Sequence, residues 1–226
     1  MEPIFNHPWA LSQEEALNLQ QELAAKVVKT DQVNKVKLVA GVDVAYQKDS
    51  DRLVASVVVL DAETLEVIET ATAIDKEQFP YIPGLFSFRE LPPLIKAFEK
   101  VKHLPDLIVC DGQGYAHPRR FGLACHLGVI FDVPTIGCGK TRLLGEHTEP
   151  DKNRGATAPL IDNGETIGSV LRTQDFINPI YVSIGHRVSL ATACEWILKL
   201  SPKYRLPETT RKADQLVNAT IKKLKN

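Results

Sequence analysis

LVAGVDVAY, residues 38–46, is an apolar run that alternates as a β-strand and carries a carboxylate, Asp43, at its centre. Val42 and Val44 flank that carboxylate, and its same-face neighbours Gly41 and Ala45 leave room beside it. An acid in such a strand is costly to bury unless something pairs with it. A metal ion is one such partner. A hydrogen bond to neighbouring backbone, or exposure on a half-buried strand, are the alternatives. LIVCDGQG, residues 107–114, poses the same question a second time. Its short apolar run reads as a buried central strand that ends on Asp111. Ligands of open α/β sheets gather beyond the carboxyl ends of parallel strands, although Asp before Gly also makes a turn. If the two strands are neighbours, Asp43 and Asp111 meet at one point. Two close carboxylates repel unless a proton or a cation lies between them, and Mg²⁺, hard and oxygen-loving, suits the position.

Outward from these two strands, Leu53–Leu60 and Glu66–Ala73 read as strands joined by a short turn around Ala62 and Glu63. With LVAGVDVAY they predict an antiparallel meander. Ser12 followed by Glu15 fits a capping box, with a helix to about Val28. Ser87 to about Val101 reads as a helix with Pro92 and Pro93 in its early turns. A helix near Phe121–Leu127 and a strand near Pro134–Gly137 continue the β-α-β alternation of a parallel sheet. Further strands are expected over residues 156–184, then helices over Ser189–Leu200 and Glu208–Leu224. The fold class expected is α/β, a ribonuclease H-like fold with a central mixed sheet, antiparallel meander plus parallel strands, flanked by helices. No linker or repeat divides the 226 residues, so one domain spanning 1–226 is expected.

The formal net charge of -1 announces no nucleic-acid partner. Basic residues do cluster toward the end (Lys203, Arg205, Arg211, Lys212, Lys222, Lys223, Lys225), and again at Arg119, Arg120, Lys140 and Arg142. Such clusters solvate helix surfaces or form phosphate-binding faces, and charge alone favours the first. Cys110, Cys125, Cys138 and Cys194 include no C-x-x-C pair, which argues against zinc and for reduced, buried thiols at Cys110 and Cys138. MEPIFNHPWALSQEE lacks the pattern of a secretory leader, and no apolar run approaches the ~20 residues needed to span a bilayer. A cytoplasmic protein with no membrane partner, and a monomer, is expected.

Five segments carry a family resemblance: GVDVAY (41–46), PYIPGLFSFRE (80–90), CDGQGYAHPRRFGLA (110–124), IGCGKTRL (136–143) and RLPETTRKAD (205–214). Together they are specific, and the sequence resembles the endonuclease V family over about residues 40–215. The resemblance implies a nuclease that recognises deoxyinosine in DNA, or inosine in RNA. It implies hydrolysis of the second phosphodiester bond on the 3′ side, leaving 3′-hydroxyl and 5′-phosphate ends. It makes Asp43, Glu90 and Asp111 an acidic site for Mg²⁺, with Mn²⁺ as a substitute. Asp214 matches a fourth position occupied by His or Asp among members. Taken singly, Glu90 and Asp214 read as surface acids. Lys140 is expected to contact a phosphate or steer the attacking water, its alternative being an ordinary surface lysine.

An enzyme that inspects an altered base must take it out of the stack. In Pro80-Tyr81-Ile82-Pro83 two prolines bracket the tip and stiffen it. By residues alone this is a turn with Tyr81 packed inside; the resemblance makes it a wedge that fills the vacated space. Gly112 and Gly114 let backbone approach a base closely, and their N–H and C=O groups are expected to read hypoxanthine. Leu85, His117 and Gly122 are expected to complete the pocket. Gly139-Lys140-Thr141 resembles the end of a P-loop, but Pro134 stands where its first glycine belongs. His117 likewise occupies the third glycine position of a dinucleotide fingerprint begun at Gly112 and Gly114. The remaining alternative is a binder of inosine-containing RNA or DNA that does not cut.

Overall fold

In the computed structural model, which describes residues 1–33 and 35–224, one eight-stranded sheet runs in the order β3-β2-β1-β4-β5-β8-β7-β6. Its strands are β1 (Leu38–Tyr46), β2 (Arg52–Asp61), β3 (Val67–Lys76), β4 (Leu107–Asp111), β5 (Thr135–Gly139), β6 (Thr157–Asp162), β7 (Glu165–Leu171) and β8 (Ile180–His186). β1, β2 and β3 form the expected antiparallel meander, and β1, β4 and β5 are parallel neighbours. β8, β7 and β6 return antiparallel along the other half, which makes the sheet mixed. This is the ribonuclease H-like arrangement anticipated from a meander continued by β-α-β units.

Helices cover both faces. α2 (Phe86–Phe98) and α3 (Leu123–Phe131) bury one face, where Ala40, Val42, Ile108 and Cys110 meet Leu91, Leu94 and Leu127. α4 (Leu190–Lys199) and α5 (Glu208–Leu224) bury the other, on Val39, Val58, Leu107 and Val109. The period-2 alternation of β1 and β4 thus sorts even positions to one helical layer and odd positions to the other. β2 is buried from Leu53 through Leu60 because both layers cover it.

Three helices differ from expectation, α3 starting at Leu123 and running on past Leu127 to Phe131. α1 (Gln13–Ala24) has the capping box at Ser12 and Glu15 but stops before Val28. Val28 instead pairs with the end of β8, accepting from Arg187 N–H at 2.7 Å. In α2, Pro92 and Pro93 lie in the middle rather than the early turns. Neither donates an N–H to the helix, and both are buried in its packing face. Ahead of α1, an N-terminal arm packs His7 and Trp9 against α2 and α3. His126 of α3 is wholly buried there, 2.9 Å from both His7 Nε2 and Ser87 Oγ. Cys110, Cys125 and Cys138 are buried free thiols.

Candidate active site

Asp43 and Asp111 stand side by side. The last registered pair between β1 and β4 is Val42 with Cys110, and the two acids are the next residues on each strand. Both point toward the layer of α5. The space beside Asp43 that Gly41 provides is taken by that helix: a Cβ at Gly41 would lie 2.1 Å from the Thr209 carbonyl oxygen. Ser56, opposite Asp43 on β2, donates to the Ala213 carbonyl at 2.9 Å. Those two contacts bring Asp214 of α5 alongside. Glu90 comes from the other layer, on α2, and is only 4% exposed. Tyr46, at the end of β1, donates its hydroxyl to Glu90 Oε1 at 2.9 Å. Four acids from four elements therefore converge at the strand ends, where the two layers meet.

Their charges oppose one another. Burial, then the neighbouring Asp111, push the Asp43 carboxyl up to about 7; Lys140 pulls it back and Asp214 adds to the rise. Burial raises Glu90 well above the usual carboxylate range, against the hydrogen bond from Tyr46, and Asp43 and Asp111 add to it. Lys140 Nζ lies 2.5 Å from Asp111 Oδ2. Although burial opposes its charge, the bond to Asp111 and the charges of Asp43 and Asp214 hold its ammonium above the usual lysine value. In donor chemistry these acids fit a hard divalent cation, which needs only one or two carboxylates with water and phosphate oxygens. As the side chains lie, no group of three or more His, Cys, Asp or Glu among the described residues forms a metal cage. Lys140 on Asp111 and Tyr46 on Glu90 hold two of the acids instead.

A cleft of about 410 Å³ opens beside Asp111 and Lys140, a size within the ~300–1,000 Å³ of ligand sites. Tyr81, Ile82 and Pro83 wall one side. Tyr81 is 68% exposed, so it does not pack into the core. Gly112, His117 and Gly122 also line the cleft. Leu85 and Gly114 are placed differently. Leu85 packs under the wall with Phe79 and Phe88, and Gly114 lies so close to β8 that a Cβ would meet the Ile184 carbonyl at 2.1 Å. The N–H groups of Gly112 and Gly114 are already given to the Cys138 carbonyl at 3.2 Å and to Ser183 Oγ at 2.9 Å. His117 is buried, and burial followed by Arg119 lowers its ring to about 4, so it is neutral.

Apart from Arg142, the clustered arginines serve the fold. Arg120 pairs with Asp162 and Glu165 at 2.8 and 2.7 Å. Arg205 donates to the carbonyls of Lys140, Asn178 and Pro179 at 2.8–2.9 Å, fixing the backbone that carries Lys140. Arg211 and Lys212 pair with Glu208, while Arg142 lines the cleft and Lys225 lies outside the described residues. Sequence reasoning missed Tyr46 and Arg205 as site residues. Tyr46 was within reach of it: alternation along GVDVAY turns the tyrosine to the layer opposite Asp43, the layer of the helix that bears Glu90.

The family model for endonuclease V matches residues 21–215. An endonuclease V of Trichormus variabilis is 50% identical over 213 residues, covering 94% of this chain and 96% of that protein. The crystal structure of endonuclease V from Streptomyces avermitilis matches with a TM-score of 0.93 at 46% identity, covering 96% of each chain. The structure of Ciona intestinalis endonuclease V in complex with a 24mer DNA containing an inosine followed by a ribo-adenosine matches with a TM-score of 0.81 at 27% identity, covering 93% of this chain and 98% of that one.

Proposed function

The chain belongs to the endonuclease V family and is a nuclease, and from that premise we propose that it cuts nucleic acid beside deaminated bases, deoxyinosine in DNA and inosine in RNA. The bond hydrolysed is the second phosphodiester on the 3′ side of the lesion, leaving 3′-hydroxyl and 5′-phosphate ends. The observation that carries this reading is the convergence of Asp43, Glu90, Asp111 and Asp214 beside Lys140 at the mouth of a cleft walled by an exposed tyrosine.

Asp43, Glu90, Asp111 and Asp214 would hold Mg²⁺, or Mn²⁺ in its place, which when bound activates water and neutralises charge on the phosphate. Tyr46 orients Glu90. Lys140, its backbone fixed by Arg205, presents an ammonium to a phosphate oxygen or to the attacking water. Tyr81 enters the stack where the altered base leaves it, and Gly112, His117 and Gly122 form the part of the wall nearest that base. One continuous sheet supports a single domain over 1–226, and the free buried thiols support a cytoplasmic setting; the monomer is carried over from the sequence as an expectation. Among the described residues no helix is long and apolar enough to cross a membrane.

The test is incubation of end-labelled DNA and RNA strands, each with one inosine, with Mg²⁺ or with EDTA. A single Mg²⁺-dependent product ending one nucleotide past the inosine is expected. Retention of the strands without cutting would make the protein a binder, and cutting at undamaged sites would remove the lesion from the reading.

A further inference from the structure

Gln20 lies in the apolar stripe of α1, between Ala16 and Leu23, and is 1% exposed. A polar side chain so buried must be hydrogen-bonded, and both its amide nitrogen and its oxygen are engaged. Nε2 donates to the Gly84 carbonyl and to the Phe121 carbonyl, both at 2.9 Å. Oε1 accepts from Arg119 Nε. Arg119 in turn donates through Nη2 to the same Gly84 carbonyl at 2.7 Å.

Gly84 is the root of the Pro80–Pro83 tip. Leu85 N–H bonds the Ile82 carbonyl at 2.9 Å, closing a turn with Pro83 and Gly84 as its central residues. The φ of +80° at Gly84 is the type II requirement. A Cβ there would meet Arg119 Nη2 at 2.4 Å. Phe121, the other carbonyl held by Gln20, lines the cleft beside Gly122. One buried amide thus ties the base of the tyrosine loop to the cleft wall, with α1 behind both.

We propose that Gln20, with Arg119, is a positioning residue that fixes the Tyr81 loop relative to the base pocket, so that duplex opening depends on it. The inference rests on the wedge reading of Tyr81. Lesion binding to a duplex, where a gap must be filled, draws on this clamp. Binding to a single strand, where nothing is unstacked from a partner, draws on it far less.

The test is a double-mutant cycle between Gln20→Met, which removes every polar contact at near-constant volume, and Tyr81→Ala. Affinity for a deoxyinosine oligonucleotide is measured in EDTA, as duplex and as single strand, well below the melting temperature of each variant. Tyr81→Ala should lower the duplex-to-single-strand affinity ratio by about tenfold, the scale of one lost aromatic–base stack. Gln20→Met should lower it similarly, and the double variant should fall no further. An unchanged ratio in Gln20→Met, or additive losses in the double variant, overturns the inference while leaving the wedge intact. An unchanged ratio in Tyr81→Ala overturns the wedge, and the inference with it. Arg119→Lys, which keeps the charge and loses the fork, carries the same expectation if Gln20→Met does not fold.

Discussion

Replacing Asp43 by Asn should abolish cutting and, in the absence of metal, make the protein more stable. The rise of its carboxyl from 3.8 to about 7 means that the folded protein resists its ionisation. That interval spans roughly three pH units at ~1.4 kcal/mol each, a ceiling of about 4 kcal/mol. The ceiling is not reached, because Asn also loses the attraction of Lys140. A gain of about 1–2 kcal/mol is expected, or roughly 2–8 °C in Tm for a chain of this length. A folded-state value above the unfolded one contributes stability that is present below pH ~4 and lost as pH rises through about 7. The Tm difference between variant and wild type in EDTA should therefore be near zero at pH 4, grow through pH 5–7 and level off by pH 8. Added Mg²⁺ should raise the Tm of the wild type and leave the variant behind. An equal or lower Tm for the variant at pH 8 in EDTA would refute the electrostatic argument, and Mg²⁺-dependent cutting at the normal rate would remove Asp43 from the site.

Lys140→Ala should slow the single-turnover rate with saturating enzyme, by about a hundredfold if it stabilises transition-state charge, and weaken binding much less; an unchanged rate would leave it a surface lysine. Arg205→Leu frees the three carbonyls around Lys140, and its single-turnover rate should fall in the same direction while lesion binding in EDTA holds. Burial lowers both His7 and His126, so the unfolded chain binds protons that the folded one refuses as pH drops below ~6.5. His7→Gln should consequently lose less Tm between pH 7 and pH 5 than the wild type, and an identical loss would count against the buried pair. Gly84→Ala puts a Cβ against Arg119 at positive φ and should lower Tm and the duplex-to-single-strand affinity ratio together.

Asp43 and Asp111 were legible because each breaks an apolar strand, a conflict visible without coordinates. That the two strands are parallel neighbours was only a condition in the sequence, and the β1–β4 register meets it. Glu90 and Asp214 were not legible from residues alone, since an acid on an amphipathic helix reads as solvated until the strand ends beside it are located. Resemblance placed them; the packing of α5 on Gly41 supplies the physical reason for Asp214, and the Tyr46 hydroxyl that for Glu90. Arg119, Arg120 and Arg205 read on charge alone as solvated surface, with a phosphate-binding face as the alternative, and turn inward in the structure. Their partners are carbonyls and acids many residues away, and no local pattern announces a carbonyl in need of a donor. Gln20 left a faint trace, a polar residue at core spacing in α1. Leu85 and Gly114 adjoin cleft residues in sequence yet face the interior, because one-residue steps along a tight loop reverse direction.

The seating of α5 on Gly41 bears on how the protein is made. A chain still on the ribosome that has released β1 through β5 already carries Asp43, Glu90, Asp111 and Lys140. The face of β2 that Val217 covers at Val54 is then bare, and Asp214 has not been synthesised. Such a half-made sheet presents apolar surface of the kind for which chaperones and aggregation compete. Closure of that surface and arrival of Asp214 are a single event, so on the proposed assignment the cutting centre is completed only when α5 docks. A message truncated before that helix would give a sticky fragment rather than an unregulated nuclease.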